Sequence, residues 1–326
     1  MRVVITGAAG QLGLDLLDEF ADHEVVGLAR EDLDVSVEAA VHEALDRLAP
    51  SLVINAAAWT DVDGCESDPE RAHAVNALGP WWLARACLRL NATLVTVSTE
   101  HIFSGPAPRR GDEPRGWTEF DELRPANVYG ASKAAGEQLV RACLPQHHIV
   151  RTSWVAGARG NNFVTAILRA ARTREHLEVV EDEIGAPTYS RDLARALREV
   201  GSSTRYGTWN RTNAGSTSRA HQARTVLKMA GIATPVKGTS SADSTRPAAR
   251  PAWSMLDATH VTACGFTPMP PWQDGLARLL TELGEVDARG QGEMDTRAPA
   301  EVDDFDGVGG QPSGSQPRSQ PRSRDR

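Results

Sequence analysis

The strand-like run Val3-Val4-Ile5-Thr6 passes directly into Gly7-Ala8-Ala9-Gly10-Gln11-Leu12-Gly13, after which Leu12, Leu16, Leu17 and Phe20 recur at helical spacing. A glycine-spaced turn between a buried strand and an amphipathic helix leaves few folds open. Glycine is used where the turn is tight and where helix and strand must pack closely. The alternation continues down the first half of the chain. Glu24–Ala29, Leu52–Asn55, Leu94–Ser98 and His148–Arg151 read as further strands, and Val37–Leu48, Pro69–Leu90 and Asn127–Leu144 as helices. Short apolar strands separated by helices predict an α/β fold, a Rossmann-type doubly wound parallel sheet with right-handed crossovers.

The second half is less regular. Helices are expected over Phe163–Thr173, Ser190–Val200, Arg219–Ala230 and Pro270–Leu283, a strand over Leu177–Val180, and a loop over Pro235–Pro251. Residues 1–160 are therefore expected to form mainly the sheet domain, and 161–284 mainly a smaller α+β lobe with returns to the sheet. Residues 285–306 carry eight acidic and two basic residues, and 307–326 are almost entirely Gly, Gln, Pro, Ser and Arg. Too little apolar surface is available there to offset ordering, so 285–326 reads as a disordered tail.

The net charge of -8 argues against nucleic acid as a partner, which needs clustered cations. Cys65, Cys87, Cys143 and Cys264 lie far apart with no metal or redox spacing, so no metal is expected. No apolar run approaches the ~18 residues of a membrane span, and the N-terminus lacks the features of a signal peptide. A cytoplasmic protein with no membrane partner is expected.

The spacing GxxGxxG between strand and helix is the context in which a glycine motif binds a dinucleotide. Gly7, Gly10 and Gly13 shape the turn, and the free N–H groups at the helix start attract the pyrophosphate. Small residues at Ala56, Ala57 and Ala58 leave room beside the third strand. The second strand ends in Leu28-Ala29-Arg30, followed by Glu31. Arg30 suits the 2′-phosphate of NADPH. Glu31 argues for NADH, which stays open.

Tyr129 and Lys133 stand one helical turn apart. A nearby ammonium is expected to lower the phenol pKa and fit Tyr129 for proton exchange with a carbonyl oxygen. Thr99, at the end of the fourth strand, supplies the hydroxyl that polarises the same oxygen. Tyr129 and Lys133 are also expected to contact the cofactor, Lys133 through the nicotinamide ribose.

In these motifs, over about residues 1–283, the chain resembles the dTDP-4-dehydrorhamnose reductase family of extended short-chain dehydrogenases/reductases. Further similar stretches are Arg151-Thr152-Ser153-Trp154-Val155, Asn162-Phe163, Ile184-Gly185-Ala186-Pro187-Thr188-Tyr189 and Arg250-Pro251-Ala252-Trp253-Ser254-Met255-Leu256-Asp257. The resemblance implies NADPH-dependent reduction of the 4-keto group of a dTDP-linked 6-deoxyhexose, with the second lobe binding the substrate. It implies Gln11, Leu12, Asp34, Val35, Ala56, Ala57 and Ala58 at the cofactor, and the triad Thr99, Tyr129 and Lys133. On the substrate side it implies Glu100, His101, Trp154, Asn162 and Arg250. Arg250 either meets phosphate or forms a structural salt bridge. A homodimer stays open.

Two departures concern the sugar. The family's Ser-Thr-Asp-Tyr-Val-Phe is Ser98-Thr99-Glu100-His101-Ile102-Phe103 here, and its Trp-Val-Tyr-Gly is Trp154-Val155-Ala156-Gly157. They leave open which keto-deoxysugar is reduced. The alternatives are a non-catalytic dinucleotide-binding regulatory subunit and a nucleotide-sugar epimerase or dehydratase on the same scaffold.

Overall fold

The structure, a computed structural model, describes residues 1–286. One parallel sheet contains β1 (Arg2–Thr6), β2 (Glu24–Leu28), β3 (Leu52–Asn55), β4 (Thr93–Thr99), β5 (His147–Thr152) and β6 (Gly207–Asn210), in the order 2-1-3-4-5-6. Its helices are α1 (Gln11–Glu19), α2 (Glu38–Leu48), α3 (Gly79–Leu90), α4 (Val128–Cys143) and α6 (Ser190–Gly201); α5 (Phe163–Ala171), α7 (Arg219–Met229) and α8 (Trp272–Glu282) build a second lobe.

Alternation along the strands decides which helix packs where. Val4, Val53, Leu94 and Ile149 face one way and meet α2, α3 and α4 through Leu45, Leu83 and Val140. Val3, Ile5, Ile54 and Val150 face the other way and meet α1 and α6 through Leu16 and Leu197. The chain steps from β1 outward to β2, then crosses back past β1 to β3. Winding reverses there, so a crevice opens at the carboxyl ends of β1 and β3, where such sheets bind ligands. The lobe has its own core, in which Ile167, Leu177, Val226, Trp272 and Leu279 pack together.

Three features depart from the expected elements. Pro69–Leu90 is not one helix: it divides into Pro69–His73, a wide π-helical turn Ala74–Leu78, and α3. Pro80 has no N–H to give the preceding turn, which widens instead. β6, Gly-Thr-Trp-Asn, has no strand-like pattern and is ordered by pairing with β5 along Gly207↔His148 to Asn210↔Arg151. Within the expected loop, Val236–Thr239 pairs in parallel with Leu177–Val180.

At the far end, Glu285 pairs with Arg172 at 2.5 Å and Val286 packs on the lobe core, so these two residues belong to the folded part. The rest of the expected tail lies outside the described residues. Among the described residues no helix is long and apolar enough to cross a membrane, and the four cysteines are free thiols.

Candidate active site

The glycine loop separates structural from ligand demands. Gly7 has φ +69°, and a Cβ there would stand 2.7 Å from the Ala57 nitrogen. A Cβ on Gly13 would stand 2.2 Å from the Gly7 oxygen. The fold itself therefore requires both glycines. At Gly10 a Cβ would approach only the Gly7 oxygen, at 3.2 Å, and the residue is exposed. Gly10 is the N-cap of α1 without a side-chain cap, so the N–H groups of the first turn stay available to an anion.

Beside it lies a cavity of about 490 Å³ lined by Gly10, Gln11, Leu14, Thr60 and Arg159. Bare N–H groups, a glycine the protein does not itself demand and an adjoining cavity fit a dinucleotide pyrophosphate. Gly10→Ala is therefore expected to weaken NADPH binding about tenfold, roughly 1.4 kcal/mol, while the melting temperature barely moves. Fluorescence titration beside a thermal melt checks both.

Gln11 holds this loop to the rest of the site. Its Oε1 accepts from the Gly157 N–H at 3.1 Å and from Asn162 Nδ2 at 3.3 Å. Asn162 is otherwise the cap of α5, accepting from the Thr165 N–H and donating to the Gly157 carbonyl at 2.8 Å. Its side chain, engaged by the cap, by Gly157 and by Gln11, ties the start of α5 to the glycine loop.

Ala56, Ala57 and Ala58 follow β3, where Asn55 Oδ1 accepts from Thr6 Oγ1 at 2.7 Å and from the Ala57 N–H at 3.2 Å. Leu12 and Val35 are buried in the cores on either side of the sheet. After β2, Asp32 accepts from the Ala29 N–H at 2.9 Å, and Asp34 accepts from the Ser36 hydroxyl at 2.6 Å. The Ser36 hydrogen bonds, with help from Arg30 and Arg71, hold the Asp34 carboxyl below its usual range. Arg30 is exposed at this end.

Tyr129 and Lys133 face the end of β4 from the first turns of α4. Lys133 Nζ donates to the Val97 carbonyl at 2.6 Å, and the Thr99 hydroxyl lies near enough to the buried Tyr129 phenol to favour its ionised form. The phenol is shifted upward, first by burial and then by the charge of Glu100, against the opposing effect of Thr99. This corrects the expectation of a lowered phenol. Lys133 is engaged by Val97, and burial brings its own pKa down to about 8, with Glu137 opposing.

Glu100 and His101 follow Thr99 in a tight turn against α4, so close that a Cβ on Gly130 would stand 2.1 Å from the His101 oxygen. Thr99 Oγ1 donates to Glu100 Oε2 at 2.7 Å. Burial raises the Glu100 carboxyl to about 7, Thr99 and Arg219 opposing. The His101 ring meets Tyr129 edge-on, 5.4 Å between centroids. Burial, then Arg250 and Arg219, lower His101 to about 3, so it is neutral.

Asn127, the N-cap of α4, orients that ring. Its Oδ1 accepts from the Gly130 N–H at 2.7 Å, which leaves its amide to donate to His101 Nδ1 at 2.9 Å and to the Ala249 carbonyl at 2.7 Å. The ring proton therefore sits on Nε2 as a donor.

Sequence reasoning passed over Asn127, although an Asn just before a helix is a capping signal. It also passed over Arg219. That guanidinium lies 3.5 Å from the Trp154 ring centroid and 5.0 Å from that of Phe163. Among the described residues it closes no ion pair, although Glu183, Glu100, Arg246 and Arg250 all act on it and burial lowers it to about 10. No spacing in the sequence announces it, because α7 and Trp154 meet only through the fold. Trp154 adopts φ +47°, and a Cβ on Gly185 would stand 2.5 Å from its ring. Arg250 pairs with Asp63 at 3.0 Å and donates to the Ala248 carbonyl at 3.0 Å.

A dinucleotide-type sheet with Thr, Tyr and Lys gathered at its carboxyl edge defines an extended short-chain dehydrogenase/reductase. Residues 1–285 match the family model described as the RmlD substrate binding domain. The dTDP-4-dehydrorhamnose reductase of Mycobacterium tuberculosis is 41% identical over 285 residues, 86% of this chain and 92% of that protein. A probable dTDP-4,6-dihydroxy-2-methyloxan-3-one 4-ketoreductase of Streptomyces antibioticus is 35% identical, covering 87% of this chain and 96% of that protein. The crystal structure of Bacillus anthracis dTDP-4-dehydrorhamnose reductase in complex with NADP superposes with a TM-score of 0.82 at 36% identity, covering 86% of this chain and 99% of that one. The chain belongs to the dTDP-4-dehydrorhamnose reductase family.

Proposed function

We propose that the protein reduces the 4-keto group of a dTDP-4-keto-6-deoxyhexose, using NADPH. The observation that carries this reading is the buried, protonated Tyr129 phenol with Thr99 near it, on the same carboxyl edge of the sheet as the ligand-ready glycine loop. Bound NADPH supplies the hydride. Tyr129 gives its proton to the oxygen as the ketone becomes an alcohol, and Thr99 holds that oxygen in place. Lys133 anchors the nicotinamide ribose. Arg30 favours the 2′-phosphate, since Asp32 and Asp34 are spent on backbone and Ser36, while the exposed Glu31 leaves NADH as the second donor. A cytoplasmic location goes with a reaction that draws on reduced nicotinamide and an activated sugar. The test is NADPH oxidation with dTDP-4-keto-6-deoxyglucose and a 3,5-epimerase. Absence of turnover with this ketosugar and its epimers overturns the reading.

On the substrate side, the neutral His101 offers an Nε2–H and Trp154 an aromatic face. Arg219 is the guanidinium left for the substrate's phosphates. Arg219→Ala is expected to raise KM for the nucleotide sugar by roughly ten- to a hundredfold, the loss of one charge-assisted hydrogen bond, with a smaller change in kcat. Steady-state kinetics at saturating NADPH measures the split.

A further inference from the structure

The cavity beside the glycine loop is built from more than that loop. Ala9, Gly10 and Gln11 line it from the loop and the start of α1, and Arg159, Gly160 and Asn161 line it from the segment after the short strand Val155–Ala156. Gln11 fastens this second segment by itself. Its Nε2 donates to the Val155 carbonyl at 3.3 Å, and its Oε1 accepts from the Gly157 N–H and from Asn162. Gly160 has φ +135°, and a Cβ there would stand 3.2 Å from the Gln11 Cβ, so the segment lies against the loop.

Among the described residues that line the cavity, Arg159 alone is charged. Its Nη2 donates to Asp15 Oδ1 at 2.5 Å and to Asp18 Oδ2 at 2.7 Å, both on α1. The rest of the fork is not used up. Nε is buried and has no hydrogen-bond partner among the described residues. A buried N–H without an acceptor is destabilising, so its presence calls for one. Nor does Asp15 depend on Arg159 alone. Ser190 Oγ donates to its Oδ2, and Arg191 Nε lies 3.8 Å from its Oδ1.

We propose that Arg159 is a cationic clamp for the cofactor's pyrophosphate, completing the anion site that the first turn of α1 begins. The inference rests on the dinucleotide reading of the glycine loop. Each phosphate of the pyrophosphate carries a full negative charge, while the N–H groups of a helix start supply only partial positive charge. The first turn of α1 holds no acidic residue to oppose an anion. A guanidinium presents its N–H donors in a rigid planar fork, so it can keep Nη2 on α1 and offer the others to phosphate oxygens. Asp15 and Asp18 therefore have different effects. Asp15, buried and held by α6, fixes where the fork stands. Asp18, with 58% of its side chain exposed, competes with the ligand for the same charge.

Arg159→Gln keeps a polar side chain and removes the charge. It is expected to weaken NADPH binding about tenfold, the loss of a charge-assisted hydrogen bond. Adenosine 2′-phosphate keeps the adenine and the 2′-phosphate and lacks the pyrophosphate, so its affinity should stay at the wild-type value. Arg159→Lys should recover part of the loss, because the charge returns without the fork. The salt dependence of the NADPH dissociation constant should be shallower in Arg159→Gln than in the wild type. Fluorescence titration of the full chain gives each quantity and needs no turnover.

A residue that only braced the segment would behave differently. Its loss would weaken both ligands alike and leave the salt dependence as it was. Equal weakening of the two ligands overturns the proposal, and so does wild-type NADPH affinity in Arg159→Gln. Should that variant fail to fold, Asp18→Asn decides. Asp15 still holds the fork there, and Arg159 is released from a competing carboxylate. NADPH should bind about two- to threefold more tightly, the scale of an exposed ion pair. Unchanged or weaker binding in Asp18→Asn sinks the clamp. A wild-type protein that binds neither NADPH nor NADH overturns the dinucleotide reading and the clamp with it. A wild type that binds NADPH, with variants that bind it equally well, overturns the role of Arg159 alone.

Discussion

Tyr129→Phe is expected to lower kcat by about 10²–10⁴-fold, the range a positioned proton donor contributes. NADPH affinity should stay close to that of the wild type. The aromatic ring remains, and with it the packing against Cys65 and Ala72 and the edge-on contact with His101 at 5.4 Å. Only the hydroxyl near Thr99 is lost. The direction of the phenol shift sharpens the expectation. A phenol pushed upward is a proton donor at every physiological pH, which suits reduction of a ketone. Steady-state oxidation of NADPH, with binding followed by fluorescence, separates the two quantities. A non-catalytic dinucleotide-binding subunit would show no NADPH oxidation in either form, so a measurable wild-type rate that survives in Tyr129→Phe contradicts the role given to Tyr129.

The positions of β1, β3 and α1 were readable because their physics is local: apolar runs bounded by glycines, and a helix stripe at Leu12, Leu16 and Phe20. Tyr129 and Lys133 were readable for the same reason, since one helical turn brings them together regardless of the rest of the chain. What surrounds them depends on distant contacts. Nothing in Gly-Thr-Trp-Asn predicts β6 until β5 lies beside it. Arg219 becomes a site residue only because α7 starts next to Trp154, 65 positions earlier in the sequence. The phenol shift was misread because sequence spacing places Lys133 near Tyr129 but shows neither the burial of the phenol nor the Glu100 charge beside it, while the amine itself points to the Val97 carbonyl. The contact of the Asn162 side chain with Gln11 was likewise hidden, because it joins positions 151 apart in the sequence.

Glu137→Ala is expected to cost about 3–5 kcal/mol of stability, the usual penalty for stranding one member of a buried ion pair. Glu137 on α4 and Arg151 on β5 are each 1% exposed. They meet through two hydrogen bonds, Nε to Oε1 at 3.0 Å and Nη2 to Oε2 at 2.7 Å, and Arg151 further donates to the Glu119 carbonyl at 3.1 Å. Without Glu137 the guanidinium keeps one carbonyl and the Phe103 ring, 5.2 Å away, and no carboxylate bonded to it. A loss of that size is a large part of a typical ~5–15 kcal/mol and should lower Tm by roughly 10 °C. Replacing both partners, as Glu137→Leu with Arg151→Met, should recover much of the loss, because the stranded charge and not the missing bond carries most of the cost. The same variant reaches the chemistry one helical turn away. Glu137 is the neighbour that opposes the downward shift of Lys133 to about 8. Its removal lets Lys133 lose its proton at lower pH, so the alkaline decline in kcat should move toward neutrality. Chemical denaturation gives the first effect and a pH–rate profile the second. A stability loss under about 1 kcal/mol, the scale of an exposed pair, would contradict the buried arrangement.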